Sequence, residues 1–159
     1  MAAPDSKNPQ QDEARFTAMV QRWADGKATL RDVRGYSDEE LYAIAKTAYF
    51  FYYQGRISEA RTLFQGLYAI NPADAYFAKA LGVVEMAAGN AQGALAAYDV
   101  ALKLDARDAQ AYVGRAEVRL SLGHKSHAVE DLRRATSLLP EKEPLAQKAA
   151  AMLSGLLHR

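Results

Sequence analysis

Four kinds of residue recur in this chain at intervals of 34 residues, and this repeat restricts the possible folds more than any other sequence feature. Each unit has a glycine, then an alanine, then an aromatic residue or leucine one helical turn later, and finally an aliphatic residue. The recurring positions are Gly55, Gly89 and Gly123; Ala60, Ala94 and Ala128; Phe64, Tyr98 and Leu132; and Ile70, Leu104 and Leu138.

Each recurring position has a physical role in a helical hairpin. Glycine suits the tight turn between two helices, where a positive φ is often required. Alanine suits the point where the second helix crosses the first, because a larger side chain would push the helices apart. The larger residue four positions later lies on the same face and fills the space between the helices. The repeat therefore predicts a stack of helical hairpins.

The helical periodicity predicts an all-α fold, because no segment alternates between apolar and polar residues as a strand would. Ser37 and Glu40 have the spacing of a capping box before the apolar run that starts at Leu41, and Pro144 suits the first turn of a last helix. The predicted helices are 13–25, 38–53, 57–70, 75–88, 91–104, 109–122, 125–138 and 143–157.

The repeat resembles the tetratricopeptide repeat, which has a small residue early in its first helix, a turn glycine, an alanine and then an aromatic in its second helix, and a closing proline. The resemblance implies a superhelix of three repeats, 41–74, 75–108 and 109–142, within residues 37–159. The flanking parts are a disordered arm (1–11), an amphipathic N-terminal helix with a connector (12–36) and a capping helix (143–157).

A narrower resemblance lies before the first repeat. Residues 26–41, GKATLRDVRGYSDEEL, are similar to the segment that precedes the repeats in class II type III secretion chaperones. These are bacterial cytosolic proteins that hold the hydrophobic translocators of the injection apparatus. The resemblance covers about residues 15–155. It implies a cytoplasmic location, a translocator as client, and dimer formation through the N-terminal region.

Composition excludes several other classes. The chain has 20 basic and 19 acidic residues, so it has no overall attraction for nucleic acid or an anionic membrane. It has no cysteine for a disulfide or thiolate site, and no apolar run of about 18 residues that could span a bilayer. The N-terminus lacks the apolar core of a secretory signal. We expect neither a cofactor nor a metal.

Chemistry-bearing side chains are sparse. His124 and His127 have spacing that metal ligands can use, but they fall at a turn and a helix start, and we interpret them as solvated. Glu130 and Asp131 point to different sides of a helix, so they form a poor acid–base pair and are also expected to be solvated. An enzyme that uses the two histidines is therefore a minor alternative.

The first helix of each repeat carries a second stripe of residues on the side that should face inward. This predicted inner face consists of Tyr42, Ala45, Tyr49 and Tyr52; Tyr76, Lys79, Val83 and Met86; and Gln110, Val113, Glu117 and Leu120. In one interpretation Tyr49 and Tyr52 simply pack under the N-terminal helix. In the other, the stripe lines a groove for an extended peptide, for which tyrosine and methionine are well suited.

The N-terminal helix has its own apolar stripe, Phe16, Met19, Val20 and Trp23. This stripe either packs on the first repeat of the same chain or forms a homodimer contact, and the sequence leaves both possibilities open. The function predicted from all these features is a chaperone that shields an extended, partly hydrophobic client segment. The alternative is a general scaffold for protein–protein contacts, unrelated to secretion.

Overall fold

The computed structural model describes residues 9–158, apart from the side chain of Trp23. Within this range the chain forms nine α-helices and no strand. The helices are α1 (Pro9–Ala24), α2 (Leu30–Arg34), α3 (Asp38–Tyr53), α4 (Ile57–Ile70), α5 (Ala75–Ala87), α6 (Ala91–Leu104), α7 (Ala109–Ser121), α8 (Lys125–Leu138) and α9 (Pro144–Leu157). The predicted all-α fold is confirmed.

The bounds of α3, α4, α6 and α8 match the prediction, and those of α5, α7 and α9 differ by one residue. Helix α1 begins at Pro9 instead of residue 13, because proline is readily accommodated in a first helical turn where no partner for its N–H is needed. Residues 9–11 of the expected disordered arm are therefore helical. The rest of that arm, residues 1–8, lies outside the described residues.

Helix α2 was predicted as part of a connector without helical structure. Thr29 caps it: the Thr29 backbone N–H donates to Asp32 Oδ2 (2.8 Å), and the Asp32 N–H donates to Thr29 Oγ1 (3.3 Å). Gly35 ends it with φ +72°. Ser37 then caps α3 through the predicted reciprocal bonds with Glu40, of 2.9 Å and 3.2 Å. Two successive capping boxes thus set the entry into the first repeat.

The turn glycines have the predicted conformation. Gly55, Gly89 and Gly123 have φ of +76°, +78° and +78°, in the region that other residues rarely adopt. Each lies between the two helices of a hairpin, α3–α4, α5–α6 and α7–α8. The positive φ therefore lets each hairpin reverse direction within a short turn.

The recurring alanines and large residues pack between the helices as predicted. Ala60, Ala94 and Ala128 have no exposed surface, and Phe64, Tyr98 and Leu132 are 0%, 5% and 0% exposed. Burial of a side chain the size of Phe64 stabilises the fold by about 2–3 kcal/mol. Each hairpin also packs on the next one through contacts of α4 with α5, α6 with α7 and α8 with α9. The first helices α3, α5 and α7 thus form one side of the stack, the inner face.

Candidate peptide-binding site

The inner face combines side chains from α3, α5 and α7, which the stacking of the hairpins brings side by side. Tyr42 is 40% exposed. The other accessible members of the predicted stripe keep part of their surface exposed: Tyr49, Tyr52, Tyr76, Lys79, Val83, Met86, Glu117 and Leu120 are half-buried and Gln110 is exposed. Most of the predicted stripe is therefore available for contact.

Two members of the predicted stripe are not accessible, and for them the expectation of an exposed position is wrong. Ala45 is 1% exposed and Val113 is 3% exposed. Ala45 belongs to the core cluster that includes Phe64, and Val113 belongs to the cluster that includes Leu132. Both lie at the edge of the stripe that turns towards the second helix of the hairpin, so they support the inner face from below.

Tyrosines from the first two repeats form a continuous aromatic cluster. The ring of Tyr49 lies 6.4 Å from Tyr52, 6.3 Å from Tyr53 and 6.2 Å from Tyr76, measured between centroids. The Tyr42 and Tyr76 rings are 5.4 Å apart. Such ring contacts add to the energy of apolar burial and hold the rings in fixed orientations. The cluster therefore offers a rigid apolar surface with several hydroxyl groups.

The hydroxyl groups of Tyr42, Tyr49 and Tyr76 are neutral donors at physiological pH. The Tyr42 hydroxyl donates to Asp74 Oδ2 (2.8 Å), and this hydrogen bond, with burial, raises the pKa of Tyr42 to about 12. Burial followed by the neighbouring tyrosines raises the pKa of Tyr49, and burial and then Asp74 raise that of Tyr76. These three tyrosines thus present phenol groups on the inner face.

Both charged members of the stripe are paired within the chain. Lys79 Nζ lies 2.7 Å from Asp108 Oδ2 and donates to Gln110 Oε1 at 3.1 Å. Glu117 Oε1 lies 2.6 Å from Lys148 Nζ of the capping helix α9. A partner with a charged tail would have to compete with these pairs. The inner face is therefore better suited to an apolar, uncharged segment.

The stripe on α1 is largely uncovered. Phe16 is 56% exposed, whereas Met19 and Val20 are half-buried. Helix α1 packs against the short helix α2. The fourth candidate, Trp23, lies in α1, but its side chain is outside the described part of the structure. Packing within this chain thus leaves most of the Phe16 ring in solvent.

The two histidines lie apart from the inner face. His124 and His127 are exposed, and their ring centroids are 6.3 Å apart. Residues 9–158 contain no group of three or more histidine or carboxylate side chains placed to hold a metal ion. None of the helices in that range is both long and apolar enough to cross a membrane.

Sequence reasoning missed two buried groups of polar side chains. Asp131 was expected to be solvated, but it is 3% exposed and accepts hydrogen bonds from Arg115 and Arg119. Glu85, 4% exposed, accepts from Arg61, Gln65 and Asn90. The partners lie on different helices, so no local pattern shows that they meet.

Sequence reasoning also treated Tyr98 only as a residue that fills space between helices. Its ring lies against Gly82 and Gly114, each 16 residues away along the chain. Phe64 has Ala48 and Ala80 at the same two intervals. The exchange of two alanines for two glycines around a tyrosine is the signal that could have identified this position.

Comparison with known proteins agrees with this architecture. The sequence model of the tetratricopeptide repeat matches residues 46–109 and 81–144, so the chain belongs to the tetratricopeptide-repeat family. No curated protein sequence matches the chain. The resemblance to type III secretion translocator chaperones that the sequence suggested is confirmed by similar solved structures.

Three of these structures illustrate the similarity. PcrH of Pseudomonas aeruginosa, in complex with the chaperone binding region of PopD, has 27% identity and a TM-score of 0.74 over 79% of this chain and 96% of PcrH. The translocator chaperone SycD of Yersinia enterocolitica has 25% identity and a TM-score of 0.73 over 77% and 87%. A chain of a T3SS complex from Aeromonas hydrophila has 26% identity and a TM-score of 0.80 over 89% and 96%.

Proposed function

We propose that this protein is a cytoplasmic chaperone that binds an extended hydrophobic segment of a type III secretion translocator on its inner face. The observation that carries the proposal is the tyrosine cluster of α3 and α5, continued by Val83, Met86 and Leu120. These apolar side chains keep exposed surface, although a helix that only supported the fold would bury them. PcrH has been crystallised with binding regions of both PopD and PopB, which supports the choice of client.

The mechanism is shielding. A translocator segment that is aggregation-prone or membrane-active places its apolar side chains against the tyrosines, Val83 and Met86, and is thereby removed from water and from other copies. Several anchors are needed, since association entropy offsets much of the contact energy. No chemical turnover or cofactor enters this mechanism, so the protein acts as a binding protein and not as an enzyme.

A peptide-binding measurement tests this proposal. The probes are fluorescent 15-residue peptides that cover the chaperone binding regions of PopD and PopB. A second set of peptides covers the translocators encoded in the same genome as this chain. We expect Tyr49→Ala and Met86→Glu each to weaken binding by roughly tenfold or more, because both remove apolar contact at the centre of the inner face. Helical content should stay near that of the wild type.

Two matched variants control for changes of surface hydrophobicity. Phe50→Ala removes an aromatic ring that is 59% exposed on the same helix as Tyr49, and Leu104→Glu adds a carboxylate at a 44% exposed leucine of α6. Neither residue belongs to the inner face, so binding should be unchanged. If no peptide bound more tightly than its scrambled version, or if the inner-face variants matched these controls, the proposal would be wrong.

We further propose that α1 forms a homodimer contact through Phe16, Met19, Val20 and Trp23. The exposed Phe16 ring supports this, as does the crystallisation of SycD in an alternative dimer. Phe16→Glu should shift the chain to monomer in sedimentation equilibrium, since it places a charge in an apolar contact. Thr17→Glu, at an exposed neighbouring position, is the control. A wild-type chain that sediments as a monomer at high micromolar concentration would contradict the dimer.

A further inference from the structure

Equivalent positions in the three second helices carry Phe64, Tyr98 and Leu132, and Tyr98 alone among them has a hydroxyl group. Phe64 and Leu132 are fully buried, whereas Tyr98 keeps 5% of its surface exposed. An apolar residue therefore satisfies the packing at two of the three positions. The hydroxyl of Tyr98 requires another explanation.

The structure makes room for the Tyr98 ring at Gly82 and for the ring and its hydroxyl at Gly114. A Cβ atom on Gly82 of α5 would lie 2.9 Å from ring atom Cε2 of Tyr98. A Cβ atom on Gly114 of α7 would lie 2.5 Å from both Cζ and the hydroxyl oxygen. Around Phe64 the corresponding positions are Ala48 and Ala80, both fully buried. Glycine is less favourable than alanine inside a helix, so the chain accepts two poorer helix formers to place this phenol between α5 and α7.

The Tyr98 hydroxyl is accessible and has no hydrogen-bond partner in the described part of the chain. Among residues 9–158, no sealed polar side-chain atom lacks a partner. Because the Tyr98 hydroxyl makes no hydrogen bond there, its oxygen must belong to the small part of the side chain that remains exposed. A phenol in such a confined position normally finds a partner. The hydroxyl is therefore a free donor with a small exposed surface.

This exposed surface lies on the inner face. The Tyr98 ring comes from the second helix α6 and passes between Gly82 and Gly114, which belong to the first helices of successive repeats. Burial, and after it the closeness of Glu117, Tyr49 and Tyr52, raises the pKa of the Tyr98 phenol. All three of these neighbours belong to the predicted stripe. The hydroxyl thus emerges among the residues proposed to contact the client.

We propose that the Tyr98 hydroxyl donates a hydrogen bond to a main-chain carbonyl oxygen of the client, where an extended segment crosses the gap between α5 and α7. The inference rests on the proposed function and adds a contact that does not depend on the client's side chains. Carbonyls of an extended segment are free to accept, whereas those inside a helix already accept from their own chain. Lys79, the nearby charged donor, is already paired with Asp108 and Gln110, so it does not compete with the phenol for this carbonyl.

Tyr98→Phe tests the inference, because it removes the hydroxyl and keeps the ring between the two glycines. The probe is the synthetic peptide of the PopD chaperone binding region. We expect a loss of affinity of about 3- to 10-fold, the range of one net hydrogen bond, with an unchanged urea midpoint. Tyr112→Phe is the matched control: the Tyr112 hydroxyl donates to the Ala106 carbonyl (3.3 Å), within the chain, so its loss should leave peptide affinity unchanged.

A second measurement identifies the acceptor. Amide-to-ester substitutions along the peptide weaken one carbonyl acceptor at a time. At one position the ester should weaken binding to the wild type and have a much smaller effect on binding to Tyr98→Phe. Equal affinity of the wild type and Tyr98→Phe, or ester effects that add at every position, would overturn the inference alone. A wild-type chain that binds no peptide would instead overturn the proposed function.

Discussion

The two junctions between successive repeats use the same backbone arrangement with the opposite order of charge. At the first junction, Arg61 of α4 donates to the buried Glu85 of α5 at 2.9 Å. At the second, Arg115 of α7 donates to Asp99 of α6 at 2.8 Å. The cation thus precedes the anion along the chain at the first junction and follows it at the second.

This reversal makes the junctions incompatible with each other. If α4 packed on α7 in place of α5, Arg61 would approach Arg119, which lies 34 residues after Glu85. If α6 packed on α5 of a neighbouring copy, as in a domain swap, Asp99 would approach Glu85. Like charges in partly buried positions are costly. We therefore interpret the two ion pairs as features that fix the order in which nearly equivalent hairpins stack.

The junctions also differ in the aromatic residue that fills them. Phe64 lies with Ala48 and Ala80 in the first apolar cluster. Tyr98 lies between Gly82 and Gly114. The aromatic residue of the first junction therefore contributes apolar packing alone, whereas that of the second turns a polar group towards the inner face. At the same repeat position, Phe64 serves stability alone, whereas Tyr98 also serves the proposed binding.

Loss of Asp131, which joins α8 to α7 beside the second junction, should have the largest effect on stability. Asp131 accepts from Arg115 at 2.7 Å and 3.0 Å and from Arg119 at 2.8 Å. Asp131→Ala would leave two largely buried guanidinium groups without their shared partner, and we expect a loss of about 3–5 kcal/mol in the free energy of unfolding. Urea denaturation followed by circular dichroism measures it. Asp99→Ala is the control, since Asp99 is 43% exposed and accepts one of these bonds; an equal loss in both variants would contradict the shared role of Asp131.

Most of the helical scaffold could be predicted from the sequence because its signals are local. Gly55, Gly89 and Gly123 fix the turns, and Ser37 fixes the start of α3, so the bounds of four helices follow directly. Helix α2 was missed although Thr29 and Asp32 have the spacing of a capping box. Five residues are fewer than a periodic pattern needs to be recognised.

The candidate site could be predicted only in part, because burial depends on neighbouring helices. The helical period places Tyr49, Val83 and Met86 on one face, and each keeps exposed surface. The same period cannot show that Ala45 turns into the core. Nor can it show that Arg115 meets Asp131, 16 residues away on the next helix. A charged side chain is buried only where neighbouring helices pack closely, and the sequence of one helix does not show where that happens.

Two glycine-to-alanine variants, Gly114→Ala and Gly66→Ala, test how tightly the Tyr98 ring is packed at the second junction. At Gly114 the new methyl group would meet the Tyr98 ring and hydroxyl at 2.5 Å. We expect Gly114→Ala to destabilise the chain by about 1–2 kcal/mol, as overpacking outweighs the gain in helix propensity. Gly66→Ala, in α4 with nothing within 4 Å of its Cβ position, should stabilise it by about 0.5–1 kcal/mol. Thermal unfolding of both variants measures the difference, and a shift of the same sign in both would show that the Tyr98 ring yields to the methyl group.

The smallest effect concerns the carboxylate of the first junction and depends on pH. Burial alone would raise the pKa of Glu85, but hydrogen bonds from Arg61, Asn90 and Gln65 outweigh it and lower the pKa below its usual 4.5. The ionised carboxylate therefore stabilises the folded chain fully above pH 4.5, and this stabilisation is lost as the pH falls through the lower folded-state value. Glu85→Gln keeps the size of the side chain and removes the charge.

We expect Glu85→Gln to cost about 1 kcal/mol at pH 7, since the hydrogen bonds lose their charge assistance. The difference from the wild type should shrink as the pH falls below 4.5, because the unfolded chain takes up a proton at Glu85 before the folded chain does. Urea unfolding at a series of pH values measures it, and the contributions of the other carboxylates, which both chains share, cancel in the difference. A difference that stayed constant down to pH 3 would mean that the amide group facing these donors, and not the loss of the charge, destabilises the variant.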